Sequence, residues 1–565
     1  MTTSSHPRSA PHAFTRTVQT YLAAHPLLAN RLLGVLGPGR VEGMARRAAI
    51  RAAQQAYRTV PLYRRLYTAQ GMTDQQMAHL TWTEFLRLPT LSKAETETEP
   101  LTDLLDARVP FPAGDAVISR SSGTTHAPAI WPVGWREFYV LRATFEATLR
   151  DLGAHHGVKT AAVAMTALEG GDQSGNSPYR ALFSLKEATG WNFEVFGPGE
   201  DPTTALDLFR WLTEQGFTAL YLISFPGTIE RLLDRIATQA TKDPAAGVAW
   251  TDFTHKRVMV GGQLVAHPIR ERMQREMGLD PAAVQIVYVS SDTGQVVARS
   301  TRFTTWLEQY LRAHEEVAAA LGLEAEDREK AILEGVPPLA VYTETDPDLG
   351  LLLTTWKHRP LVRYRINDLA WTCSVQEVVR VLRRLTPRWR RDFRTFGGRS
   401  ADLPFSVSLM VVRGRADDVV IVNAANVSPF MLRSALASLR LVDTPPVDTL
   451  HHFKHAADPA HPNQYTVYLE LRTPTDDAER LALAEQWHDP LLLALLREPA
   501  ASDLAAAHRT NPITLRLFVR SPGTAEFAQD ADQIKVSYVP RTLATRERHE
   551  LPSPVAVLPR VPTSE

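Results

Sequence analysis

Between Val117 and Thr372 short apolar runs alternate with longer amphipathic stretches, and this alternation restricts the fold more than any other feature of the chain. Strands are predicted at Thr160–Met165, Ala219–Ile223, Arg257–Val260, Gln285–Val289 and Leu351–Thr355, with helices between them such as Thr228–Gln239 and Pro268–Met277. A strand that feeds a helix and then another strand builds sheet with helical layers, so the expected class is α/β. Upstream, Phe14 to Ala69 reads as helical, with apolar spacing at Val18, Tyr21, Leu22 and at Ala49, Ala52, Ala56, interrupted at Pro61. Thr304 to Gly335 reads as a charged helical insertion with a solvated face.

A chain of 565 residues exceeds what one core organises. Past Val411 the pattern changes to a turn at Gly414–Asp418, a strand from Val419, a helix at Pro429–Leu439 and a strand at Tyr465–Leu471. The predicted organisation is a partly disordered extension over 1–40, a large domain over 41–412 and a small α+β domain over 413–565.

Lys+Arg and Asp+Glu both number 62, so no global basic field exists to recruit nucleic acid or an anionic membrane. Arginines cluster from Arg380 to Arg399, and a solvated, ion-paired face is expected there. The single cysteine, Cys373, rules out an internal disulfide framework and argues against Cys-rich zinc sites. It falls in an apolar run and is expected to be a buried, inert thiol. No apolar run approaches the ~18 residues of a membrane helix, and Met1 to His12 lacks an apolar signal core. A cytoplasmic protein is expected.

Ser121-Ser122-Gly123-Thr124-Thr125 crowds hydroxyls and backbone N–H groups between the short strands Ala116–Ile118 and Ala129–Trp131. Such a loop can wrap anionic phosphate oxygens, and it can equally be an ordinary turn. Other segments place ligand chemistry where α/β folds use it. Tyr288-Val289-Ser290-Ser291-Asp292 joins an aromatic, hydroxyls and a carboxylate suited to Mg²⁺. Gly261-Gly262-Gln263 allows close backbone approach, and Asp368 follows an Arg-rich strand and could hold a sugar diol.

In this order the segments resemble those of the acyl-adenylate-forming superfamily, most closely its phenylacetate–CoA ligase-like branch. The resemblance runs from about Ala49 to Arg541 and includes Ala56 to Arg65, which is similar to "A-x-x-x-V-P-x-Y-R", and Leu88 to Lys93, which is similar to "L-P-x-x-x-K". It implies a large adenylate-forming domain with a small mobile one. Ser121, Ser122, Gly123, Thr124 and Thr125 would cradle the β- and γ-phosphates of ATP, with Thr124 in a catalytic role. Gly262 and Gln263 would line the nucleotide site. Tyr288 would stack on adenine, Ser291 and Asp292 would face the α-phosphate and its Mg²⁺, and Asp368 and Arg415 would hold the ribose. Asp417 would be the hinge and Lys535, in Lys535 to Val539, the mobile catalytic lysine.

The implied activity is ATP-dependent ligation of a small carboxylic acid through an acyl-adenylate, with coenzyme A as the expected acceptor. An amine, a carrier-protein thiol, a cysteine, or a degenerate non-catalytic nucleotide binder are the alternatives. They are kept open by four departures from the family pattern: His126-Ala127 for Gly-Lys, Gln263 for Glu, Asp292 for Glu, and Asn423-Ala424-Ala425-Asn426 for a Gly-containing turn. The acid pocket is expected between Gly171–Leu185, the Gly261–Gln263 turn and Tyr288.

Overall fold

The computed structural model describes residues 36–527 except 93–94, 97–98, 108–115, 121–129, 135–138, 167–172, 243–251, 263–264, 266, 291–292, 294, 336–340, 347–349, 356–358, 400–401, 404–407, 416–419, 423–424, 442–449, 459–460, 499–500 and 523–526. After the short strands β1 (Leu91–Ser92), β2 (Ala116–Arg120) and β3 (Ile130–Gly134), five parallel strands form the centre: β4 (Thr160–Met165), β5 (Phe193–Phe196), β6 (Ala219–Ser224), β7 (His255–Gly261) and β8 (Val284–Ser290), in spatial order β5-β4-β6-β7-β8. Every residue of β4 and β6 is buried, as expected of parallel strands covered on both faces. The connections are helical, among them Gln173–Thr189, Pro202–Glu214, Pro226–Lys242 and His267–Met277. The predicted strands and helices of this region are all present, most of them longer by one to three residues at an end.

After β8 the sheet turns antiparallel. Strands β9 (Gln295–Arg299), β10 (Ile332–Gly335), β11 (Val341–Thr345), β12 (Gly350–Thr355), β13 (Leu361–Ser374) and β14 (Ser408–Arg415) extend it in the order β8-β9-β10-β14-β13-β12-β11. β14 pairs with β13 and β10 and so runs across the position expected to divide the chain at 412/413. A two-stranded sheet of β15 (Val420–Val422) and β16 (Ala425–Val427) and a three-stranded sheet of β17 (Leu450–Asp458), β18 (His461–Leu471) and β19 (Thr514–Arg520) follow, with helices Pro429–Leu441 and Asp477–Arg497. Arg472, just after β18, donates to Asp234 at 3.0 Å, and Asp234 also accepts from Arg272 at 2.7 Å, tying this region to the helices beside β6 and β7.

Two expectations need correction. The stretch from Thr304 is not a solvated insertion: the helix Arg302–Ala313 buries eight of its residues, and Phe303, Trp306 and Leu311 share a second core with Trp389 and Phe393. Its carboxylate Glu308 is buried because Arg270, itself 2% exposed, donates to it at 2.7 Å. The stretch also ends in the strand β10. The arginine run is exposed as expected, and among the described residues its ion pairs lie at its ends, Arg380 to Glu377 and Arg399 to Asp402. Among the described residues Arg383, Arg384, Arg388 and Arg391 have no carboxylate partner.

Among the described residues no helix is long and apolar enough to cross a membrane. Cys373 is half-buried, and desolvation pushes its thiol up to about 11.

Candidate functional site

The sheet's connectivity dictates where a ligand can enter. The chain leaves β4 for β5 on one side and returns past β4 to β6 on the other, so the helices around β4 and β6 diverge and open a crevice at their carboxyl ends. A pocket lies there, spanning about 620 Å³ including its open mouth. Its walls are apolar side chains such as Leu141, Phe145, Ile223, Met259, Val287 and Val289, with the hydroxyls of Thr166, Ser177, Ser224 and Ser290 among them. Ser224 donates to the Met165 carbonyl at 2.8 Å, so one of these hydroxyls is spent on the backbone. No charged side chain lines the pocket among the described residues. Such a lining suits the uncharged body of a ligand better than a charged group. Its position between the helix Gln173–Thr189, the glycine turn and the Tyr288 strand is the one the sequence indicates.

Gly261 and Gly262 form the rim. Gly261 pairs in register with Val287, and a Cβ built on it would stand 2.6 Å from Val287 Cγ2 and 2.9 Å from the Val287 carbonyl. Gly262 adopts φ +78°, a left-handed conformation that any other residue enters at a cost.

Tyr288 stands on β8 between the two pocket-lining valines, where the β8–β9 register shifts between Tyr288 and Val289. Its hydroxyl donates to Asp368 Oδ2. Tyr288 lies on β8 and Asp368 on β13, with β9, β10 and β14 between them. Across a flat sheet four strand spacings would separate them by about 19 Å. The hydrogen bond therefore requires the sheet to curl and bring its antiparallel half over the parallel one.

Several contacts aim Asp368. It was expected at a strand end; instead β13 continues to Ser374 and is distorted locally, with Asn367 at φ +62° and a register shift between Leu369 and Ala370. Bulges of this kind re-aim side chains. Asp368 stands opposite Arg415 in the β13–β14 register, so the two residues expected at the ribose are cross-strand neighbours in backbone position.

Upstream, β13 is clamped by both N-terminal motifs. The Val362 N–H donates to the Tyr63 hydroxyl at 2.8 Å, and Tyr63 donates to the Pro360 carbonyl at 3.4 Å. Leu91 and Ser92 pair parallel with Tyr364 and Arg365. Arg363, at φ +47°, donates to the Leu88 carbonyl and to Glu344 at 2.6 Å. Desolvation raises the Glu344 carboxyl above its usual range although Arg363 opposes it. These motifs are thus scaffold for the strand that carries Asp368.

Of the residues indicated by the sequence, the structure brings together Gly262, Tyr288, Asp368 and the backbone of Arg415. Ser121, Ser122, Gly123, Thr124, Thr125, Gln263, Ser291, Asp292, Asp417 and Lys535 lie outside the described residues. The strands that flank the first five, Ala116–Arg120 and Ile130–Gly134, are antiparallel, with Arg120 opposite Ile130. The sequence indicates the segments that hold Ser177, Gly261 and Gly262 but not the walls Leu141, Phe145, Ile223 and Met259, whose signal is confined to helix and strand periodicity.

No protein-family model matches the chain, and no curated protein matches it. Among solved structures 179 chains match. One is a 2-hydroxyisobutyryl-CoA ligase in complex with 2-HIB-AMP and CoA, 14% identical at TM-score 0.46, with 88% of each chain covered. Another is the GH3.15 acyl acid amido synthetase, 12% identical at TM-score 0.48, covering 85% of this chain and 86% of that one. A third is the O-succinylbenzoate coenzyme A synthetase of Bacillus subtilis in complex with ATP and magnesium ion, 13% identical at TM-score 0.36, covering 66% of this chain and 63% of that one. At these values the likenesses assign no activity to this chain.

Proposed function

We propose that the chain is an ATP-dependent carboxylate ligase, of the phenylacetate–CoA ligase-like kind, that forms an acyl-adenylate and passes the acyl group to an acceptor, coenzyme A first among the candidates. The observation that carries the reading is the adjacency of an apolar pocket, with no charged lining among the described residues, to Tyr288, which stands on β8 between two lining valines and donates to Asp368. The pocket suits the body of an organic acid. The pair offers an aromatic face for a base and a carboxylate for a ribose diol.

A carboxylate is a poor electrophile. Its attack on the α-phosphorus of ATP forms a C–O–P mixed anhydride and expels pyrophosphate, and the task of the protein is alignment and charge neutralisation. In this reading Ser121 to Thr125 hold the β- and γ-phosphates, Gly262 and Gln263 border the nucleotide, and Tyr288, Asp368 and Arg415 hold adenosine. Lys535 stabilises charge on the α-phosphate, and Ser291 faces it. Mg²⁺ entering with ATP would supply further charge neutralisation and would be held by Asp292. The small domain beyond Asp417 would swing between the half-reactions in a cytoplasmic enzyme.

The experiment is pyrophosphate release from ATP across a carboxylic-acid panel, with and without coenzyme A. Acid-dependent release is expected, and Lys535→Ala should reduce it by about 10²–10³-fold. Tight ATP binding without release for any acid would replace this reading with that of a non-catalytic nucleotide binder. Acid-dependent release without thioester formation would move the acceptor to an amine or a carrier thiol.

A further inference from the structure

A second set of polar side chains lies in the three-stranded sheet, outside the crevice. His451 and His452 are consecutive on β17, and consecutive residues on a regular strand face opposite sides. Here the β17–β18 register shifts between Leu450 and His452. The irregularity lets both rings turn to one side, with centroids 4.1 Å apart. Glu470, on β18, is 4% exposed and stands directly opposite His452. One ligand atom from each of the three residues lies within 4.8 Å of the others.

We propose that His451, His452 and Glu470 bind a divalent first-row cation, zinc by preference. Two imidazoles and a carboxylate are a donor set that zinc takes with a fourth position left to water. Metal–ligand distances of about 2.0–2.2 Å put tetrahedral donors roughly 3.3–3.5 Å apart, so binding draws these atoms together by up to about 1.5 Å. Four cations act on the two histidines: Arg231, Arg472, Arg433 and Lys454. Of these, Arg231 pairs with Glu200 at 3.3 Å and Arg472 with Asp234 at 3.0 Å. The bound ion would brace the irregular end of β17 against β18, and this role is independent of acyl transfer.

The test uses the full chain, stripped with chelator and titrated with Zn²⁺ against a chromophoric chelator, with Co²⁺ as a spectroscopic probe. The expected result is one tight equivalent per chain, a raised thermal midpoint, and visible Co²⁺ bands of four-coordinate strength. Glu470→Gln and His452→Ala should each weaken binding at least tenfold. Because both residues are partly or fully buried, the exposed His451→Gln is the variant that keeps the fold, and it too should lose at least tenfold. Zinc uptake that is no tighter than in His451→Gln, or uptake unchanged in all three variants, overturns the proposal and assigns the metal to other surface histidines.

Discussion

The phenol of Tyr288 donates to the carboxylate of Asp368 across the mouth of the curled sheet, linking residues eighty positions apart. In the proposed reading both groups meet the same nucleotide, so each positions the other. Tyr288→Phe keeps the ring and removes the phenol's hydrogen bond to Asp368. A charge-assisted hydrogen bond contributes about 1.5–3 kcal/mol, so the KM for ATP should rise by roughly 10–150-fold. Tyr288→Ala should cost more because the stacking face is lost as well. Steady-state pyrophosphate release measures both, and equal kinetics for wild type and Tyr288→Phe would remove the phenol from the site.

Gly261→Ala tests the pocket rim. The added methyl would stand 2.6 Å from Val287 Cγ2 and 2.9 Å from backbone, too close for a side-chain shift alone to relieve. Overpacking of this kind costs about 1–3 kcal/mol. A drop in urea midpoint, together with a narrowed range of accepted acids, is the expected outcome.

The buried Arg270–Glu308 pair gives the largest stability prediction. Glu308→Ala would leave a guanidinium uncompensated in a site 2% exposed, at a cost of about 3–5 kcal/mol. Replacing both partners with apolar residues of matching volume should recover most of that loss. Chemical denaturation of the single and double variants distinguishes a pair that adds stability from one that only fails when broken.

Cys373 supplies the pH prediction. Desolvation raises the thiol from 9.0 to about 11. At pH values below both figures this leaves about a hundredfold less thiolate than an unperturbed thiol would show. Alkylation of the native protein at pH 8 should be slow by that factor and accelerate only as pH rises towards 11. Cys373→Ser should leave acyl transfer unchanged. Rapid labelling at pH 8 would contradict the burial and reopen this thiol as an acyl acceptor.

What the sequence conveyed, and what it withheld, follows from the range of the signals. Periodicity is local, so the strands at Thr160–Met165 and Ala219–Ser224 were legible from their own residues. The helix Arg302–Ala313 was misjudged because its polar residues look solvated until Arg270 is known to face Glu308. Asp368 was legible as a carboxylate after an arginine-rich run, but not its bend: asparagine tolerates a left-handed φ, yet nothing local tells that Asn367 uses it inside a strand. The pocket walls come from three strands, two helices and the turns beside them, and no short window contains that information. The Val-Pro-x-Tyr motif was recognisable as a motif while its work, holding Val362, depends on a contact with residues far along the chain.

That contact bears on where this protein can be shortened. Tyr63 offers its single oxygen to the Val362 N–H and its hydrogen to the Pro360 carbonyl, which is what a neighbouring strand would offer. A side chain here seals a stretch of sheet border. Removing the leading helices up to Ala69 would leave that border open to other molecules, an invitation to edge-to-edge association. Poor solubility, rather than lost catalysis, is the first symptom to expect of a chain trimmed there.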